Sequence, residues 1–161
     1  MKEVIHESHF VQYADGELTA ADAELVQCAR EAAAGSYAPY SHFHVGAALR
    51  LSDGTVVKGC NQENAAFPSG LCAERTALFS AGAQHPDKAV TALAIAACDD
   101  HGTFTREPIS PCGACRQVML ETEQRHGVPM RILLYGVDGT LVVEGGTKEL
   151  LPLTFDGSFL R

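Results

Sequence analysis

Basic residues are scarce in this chain: 12 Lys and Arg stand against 20 Asp and Glu in 161 residues, a formal net charge of −8. They are scattered as well as few, which argues against a polynucleotide partner, because phosphate binding rests on clustered positive charge. A small, uncharged or weakly charged substrate fits that balance better. No apolar run is long enough to span a bilayer, and the opening MKEVIHESHF has no signal-peptide apolar region, so a cytoplasmic location is expected. In that compartment six cysteines read as thiols and ligands rather than disulfides. The seven histidines (His6, His9, His42, His44, His85, His101 and His126) show no paired metal spacing, and structural or solvent-facing roles are expected of them. At 46% hydrophobic content the length suits one domain with a sizeable core.

Against that background, LCAERTAL at 71–78 and SPCGACRQV at 110–118 carry the chemistry. Cys72, Cys112 and Cys115 supply three thiolates with no obvious fourth ligand, the count that a catalytic zinc needs if water is to occupy the open position. Glu74, a carboxylate, stands two residues from the first thiolate. Both segments run into helical patterns, with Pro68 and Pro111 just upstream, so the ligands are expected at two helix N-termini. Unpaired N–H groups and the positive dipole end favour thiolate over thiol there. Three thiolates on one divalent ion still leave a negative cluster, and Arg75 is the best-placed cation to offset it.

Two blander readings compete. The Cys112–Cys115 pair alone could be a redox dithiol, and Cys60 or Cys98 could complete a closed four-cysteine structural site. A redox motif, however, explains neither Cys72 nor Glu74, and a structural knot has no use for an acid beside its ligand.

Along the chain, residues 1–18 read as an N-terminal arm, irregular or with a short strand, ahead of a single domain over 19–161. Thr19 and Asp22 resemble a capping box, and Leu25, Val26, Ala29 and Ala32 make the stripe of a first helix ending near Gly35. Cys28 lies on that stripe as a small hydrophobe. An extended run from Phe43 to Leu51 turns at Asp53-Gly54 into 55–61, a hairpin with Cys60 near its end. The loop at 61–70 then carries Asn61 and Glu63 toward the first thiolate. VTALAIAAC at 90–98 reads as a buried central strand ending in a core Cys98, since it is continuously apolar. Two further strands are expected at 130–136 and 140–146, followed by a short capped helix over TKELLPL. The alternation gives an α/β layered fold with helices on both faces.

Four stretches, YAPYSHFHVGAAL, NQENAAFPSGLCAERTAL, SPCGACRQVML and ELLPLTF, together resemble the small zinc-dependent cytidine deaminases of the all-thiolate type, in that family's order. The Cys-x-Glu and Pro-Cys-x-x-Cys elements are the signature of zinc deaminases in general, with Cys here in place of the commoner first His. Polynucleotide and tRNA deaminases share the zinc logic but usually keep that His. The resemblance implies a three-layer α/β/α sandwich on a mixed five-stranded sheet, and hydrolytic deamination of free cytidine and 2′-deoxycytidine in pyrimidine salvage. It also implies one zinc per chain and a homotetramer, or a dimer, with shared active sites. By position, Cys72, Cys112 and Cys115 match the zinc ligands and Glu74 the proton-transfer residue. Asn61 and Glu63 match the pair on the ribose hydroxyls, Phe43 an aromatic on the pyrimidine, and the backbones of Ala73 and Ser110 base contacts. Ala65 and Phe67 match positions that reach a neighbouring subunit's nucleoside; Phe155 matches an aromatic that closes a neighbour's site. Phe67 is Tyr in many members. Other nucleosides, cytosine in nucleic acid, or a non-catalytic zinc module are the alternatives.

Overall fold

The computed structural model describes residues 1–160. Thr19 ends the arm as an N-cap, its hydroxyl accepting from the Asp22 N–H, and α1 runs Ala20–Ala33. The strands are β1 (Val11–Tyr13), β2 (His44–Leu51), β3 (Val56–Cys60), β4 (Val90–Cys98), β5 (Arg131–Gly136) and β6 (Gly139–Val143). Helix α2 spans Ala73–Gln84 and α3 spans Gly113–His126. The strands form one sheet in the order β1-β6-β5-β4-β2-β3, parallel only between β4 and β5.

The middle strand is apolar on both faces because both are covered. Its Ala92, Ala94 and Ala96 meet Leu25, Val26 and Ala29 of α1, while Leu93 and Ile95 point the other way into a cluster with Ala77, Leu78, Ala81 and Met119 from α2 and α3. Helices on both sides of a mixed sheet make the α/β/α sandwich that the sequence leads one to expect.

Two expectations change. The sheet has six strands, not five: Val11, Gln12 and Tyr13 of the arm pair with Val142, Leu141 and Thr140 and so cover the β6 edge, which would otherwise expose unpaired backbone groups. The segment TKELLPL holds only a 3₁₀ turn at Thr147–Glu149, without a side-chain cap. Ser8 donates to the Glu149 carbonyl at 2.7 Å and the Glu149 carboxylate accepts from the His9 N–H at 2.9 Å, so the arm takes groups that a longer helix would use. Pro152 has no N–H to extend the turn.

Position of α2 is set by a close approach. A Cβ on Gly59 of β3 would lie 2.5 Å from the Ala77 nitrogen and 2.8 Å from the Ala73 carbonyl oxygen, so only glycine lets the helix backbone settle there. Gly59→Ala is therefore expected to lower stability by about 1–3 kcal/mol through overpacking, read from denaturant midpoints. An unchanged midpoint would mean that α2 moves off the sheet without penalty.

Candidate active site

Two helix starts meet at one place. Cys72 is the N-cap of α2 and Cys112 the N-cap of α3, and neither sulfur is used as a side-chain cap, so both remain available as ligands. Cys115, one turn into α3, is buried and completes the group. The Cys72 and Cys112 sulfurs lie 3.8 Å apart and those of Cys112 and Cys115 3.5 Å apart. Tetrahedral zinc with Zn–S near 2.3 Å requires sulfur separations of about 3.8 Å, so the three thiolates fit that ion. Among the described residues no other set of three potential ligands converges in this way, and all six cysteines are free. Cys60 and Cys98 stay outside the cluster, which removes the closed four-cysteine reading. Cys98 is a buried core thiol, whereas Cys60 is half-buried and accepts from the Gln62 amide at 3.3 Å.

The electrostatics favour one ready thiolate. Cys72 is lowered to about 5, first because Cys115 hydrogen-bonds to its sulfur and further because Arg75 and Cys112 do so, against the opposing effect of burial. Cys115 moves up, since it donates to Cys72 and is itself buried. An Arg75 Nη sits 3.6 Å from the Cys72 sulfur, where the expected charge compensation would act. Glu74 is 4% exposed. Burial pushes its carboxyl up, and the Cys72 charge adds to that, while its own backbone N–H and Arg75 oppose it.

Beside the cluster opens a cavity of about 470 Å³ lined in part by Asn61, Glu63, Phe67, Cys72 and Arg75. These are five of the positions singled out in the sequence. Tyr40, Ser41, Gln62 and Asn64 also line it, and were not anticipated. Tyr40 meets Phe67 edge-on at 5.7 Å, and Pro39 in APYSHF, a turn-forming residue, is the sequence signal that could have pointed to it. Ala73 is fully buried at the start of α2; Ala65 and Ser110 are exposed in loops. Phe43 is 39% exposed, and Phe155 lies out on the surface, stacked on Phe159 at 5.7 Å. Neither Phe43 nor Phe155 lines this cavity.

The loop acids and amides act on backbone. Asn61 accepts from the Val45 N–H at 2.8 Å and donates to the Phe43 carbonyl at 2.9 Å. Glu63 accepts from the Tyr40 and Ser41 N–H groups at 2.9 and 3.3 Å, and its carboxyl is lowered first by the Ser41 hydroxyl and then by these amides. Each keeps part of its polar surface on the cavity.

Burial of Glu74 has a stability consequence in the metal-free protein. Its proton is held more tightly folded than unfolded, so as pH rises from about 4.3, the ordinary Glu value, the unfolded chain loses that proton first and folding stability falls until the raised folded value is passed. Glu74→Gln is expected to raise the melting temperature of metal-free protein at pH 7 and to leave it unchanged below pH 4. Equal melting temperatures at both pH values would show that the carboxylate is not penalised by its surroundings.

The family model for the cytidine and deoxycytidylate deaminase zinc-binding region matches residues 19–129. A cytidine deaminase of Halalkalibacterium halodurans is 48% identical over 131 residues, covering 81% of this chain and 91% of that protein. A cytidine deaminase of Mycobacterium tuberculosis is 47% identical over 93 residues, 58% of this chain and 65% of the relative. In three dimensions, a crystal structure of cytidine deaminase from Burkholderia pseudomallei superposes with a TM-score of 0.70 at 39% identity, over 86% of this chain and all of that one. With the match spanning most of the chain and including all three clustered cysteines and both of the helix starts that bring them together, the chain belongs to the zinc-dependent cytidine and deoxycytidylate deaminase family.

Proposed function

We propose that the protein deaminates free cytidine and 2′-deoxycytidine hydrolytically to uridine and 2′-deoxyuridine, releasing ammonia, in cytoplasmic pyrimidine salvage. The observation that carries this reading is a buried carboxyl, Glu74, beside three converging thiolates that lack a fourth cysteine. Residues 19–161 act as the single catalytic domain, and 1–18 as an arm on its edge.

Cys72, Cys112 and Cys115 hold one zinc per chain, which when bound supplies the Lewis acidity that makes water a nucleophile near neutral pH. Glu74 takes a proton from the attacking water and delivers protons to pyrimidine N3 and to the departing amine. A carboxyl pushed up by burial suits both directions of that transfer better than an ordinary one. Arg75, against the Cys72 sulfur, balances the negative cluster. Glu63 presents its second carboxylate oxygen to the sugar hydroxyls and Asn61 the amide N–H and oxygen lone pair that the backbone leaves unused, Phe43 packs on the base, and the backbones of Ala73 and Ser110 contact it.

Assembly belongs to the same proposal. Phe67 is 74% and Phe155 59% exposed, and aromatics so placed gain from burial against a second copy. A homotetramer in which Ala65, Phe67 and Phe155 reach a neighbour's nucleoside accounts for them.

The test is ammonia release from free cytidine, compared with a cytosine-containing oligonucleotide. Turnover is expected with the nucleoside and not with the polymer, and Glu74→Gln is expected to reduce it by about a thousandfold or more while zinc content stays near one per chain. Near-parental turnover by the Gln variant would remove Glu74 from the reaction. Activity confined to the oligonucleotide would replace the nucleoside reading.

A further inference from the structure

The segment 40–43, between α1 and β2, is non-repetitive, yet its backbone and that of the first residues of β2 are tied at nearly every residue. Glu63 holds the Tyr40 and Ser41 N–H groups, the Ser41 hydroxyl accepts from the Phe43 N–H at 3.1 Å, and Asn61 holds the Phe43 carbonyl and the Val45 N–H. At its centre His42 has φ 57°, and among the described residues it is the one non-glycine with positive φ. Side chains seldom adopt that conformation, and it persists only where surrounding contacts over-determine it.

Those contacts converge on one carboxylate. Asp100 Oδ2 lies 2.9 Å from His42 Nδ1 and Asp100 Oδ1 lies 2.8 Å from His44 Nε2, so the two oxygens grip the residues on either side of Phe43. The other nitrogen of His44 is engaged by the Ser36 hydroxyl at 2.5 Å, which leaves that ring little freedom. The sheet makes the meeting possible: His44 pairs with Cys98 where β2 and β4 run antiparallel, and Asp100 follows two residues later. A turn stabilised by Asp99, which accepts from the His101 and Thr103 N–H groups at 2.9 Å each, returns the chain there. His42, His44 and Asp100 do not converge as metal ligands do; the cysteine cluster alone, among the described residues, meets that criterion.

We propose that Asp100 is a positioning residue: by clasping His42 and His44 it holds the left-handed turn at His42 and so fixes the half-exposed Phe43 ring for stacking on the substrate's base. The inference rests on the reading of Phe43 as the aromatic that meets the pyrimidine. Asp100 itself touches no substrate. Its effect is on binding, because a ring free to swing must be ordered each time a nucleoside enters.

Steady-state kinetics with cytidine on zinc-loaded Asp100→Ala, Phe43→Ala and the double variant test this. Asp100→Ala is expected to raise KM about three- to tenfold with kcat and zinc content little changed, and to have no further effect once Phe43 is Ala. Arg106→Ala removes the ion pair of the same loop to Asp138, away from the histidines, and is expected to leave KM as it was. An unchanged KM in Asp100→Ala would overturn the proposal, as would the full Asp100 effect persisting in the Phe43→Ala background, which is what a purely structural role gives. A silent Phe43→Ala would remove the reading of Phe43 and the clasp's purpose with it, while leaving the thiolate and Glu74 assignments standing.

Discussion

One point in space must receive two helix N-termini, and the rest of the molecule is arranged to allow it. A single thiolate gains from a helix start, but three thiolates within hydrogen-bonding distance of one another repel unless a cation joins them. Cys72 and Cys112 can both be N-caps at the same point because α2 and α3 lie side by side on one face of the sheet. That face is built for close approach, by glycine at Gly59 and by alanines at 73, 77 and 81 of α2. Leu93 and Ile95 give it the apolar floor that holds both helices down.

The same geometry places an acid where folding alone would not choose one. Glu74 is in the first turn of α2, a position the helix dipole favours for a carboxylate, but it is buried and faces the Cys72 charge, and those two effects push its proton affinity up. Such an environment suits the role proposed for Glu74, to take a proton and give it back. Loop residues follow a similar rule. Asn61 and Glu63 spend part of their hydrogen-bonding capacity on the backbone of 40–45, so both side chains are held rather than mobile on the cavity wall.

Much of this was legible in the residues. Val90–Cys98 forms over the very span expected, because a strand covered on both faces writes itself as an unbroken apolar run. Thr19 with Asp22 marked the α1 start, and Cys72 and Cys112 mark two more. What escaped depends on partners distant in sequence. A short strand in the arm was open from the sequence, but its place as the sixth strand was not: the three residues of β1 have no alternation of burial, and β6 offers the edge they pair with. TKELLPL has a helical composition but loses its carbonyl and carboxylate at Glu149 to the arm. Histidines 42 and 44 carry no motif; they become a pair only because the β2–β4 register brings Asp100 to both.

The central claim is that the thiolate centre is open: three sulfurs from the chain and one place for water beside Glu74. X-ray absorption at the zinc edge of the loaded protein measures this directly. Three sulfur neighbours near 2.3 Å and one oxygen neighbour near 2.0 Å are the result expected of such a centre. Four sulfurs would contradict the account, since a closed site leaves Glu74 no water to act on.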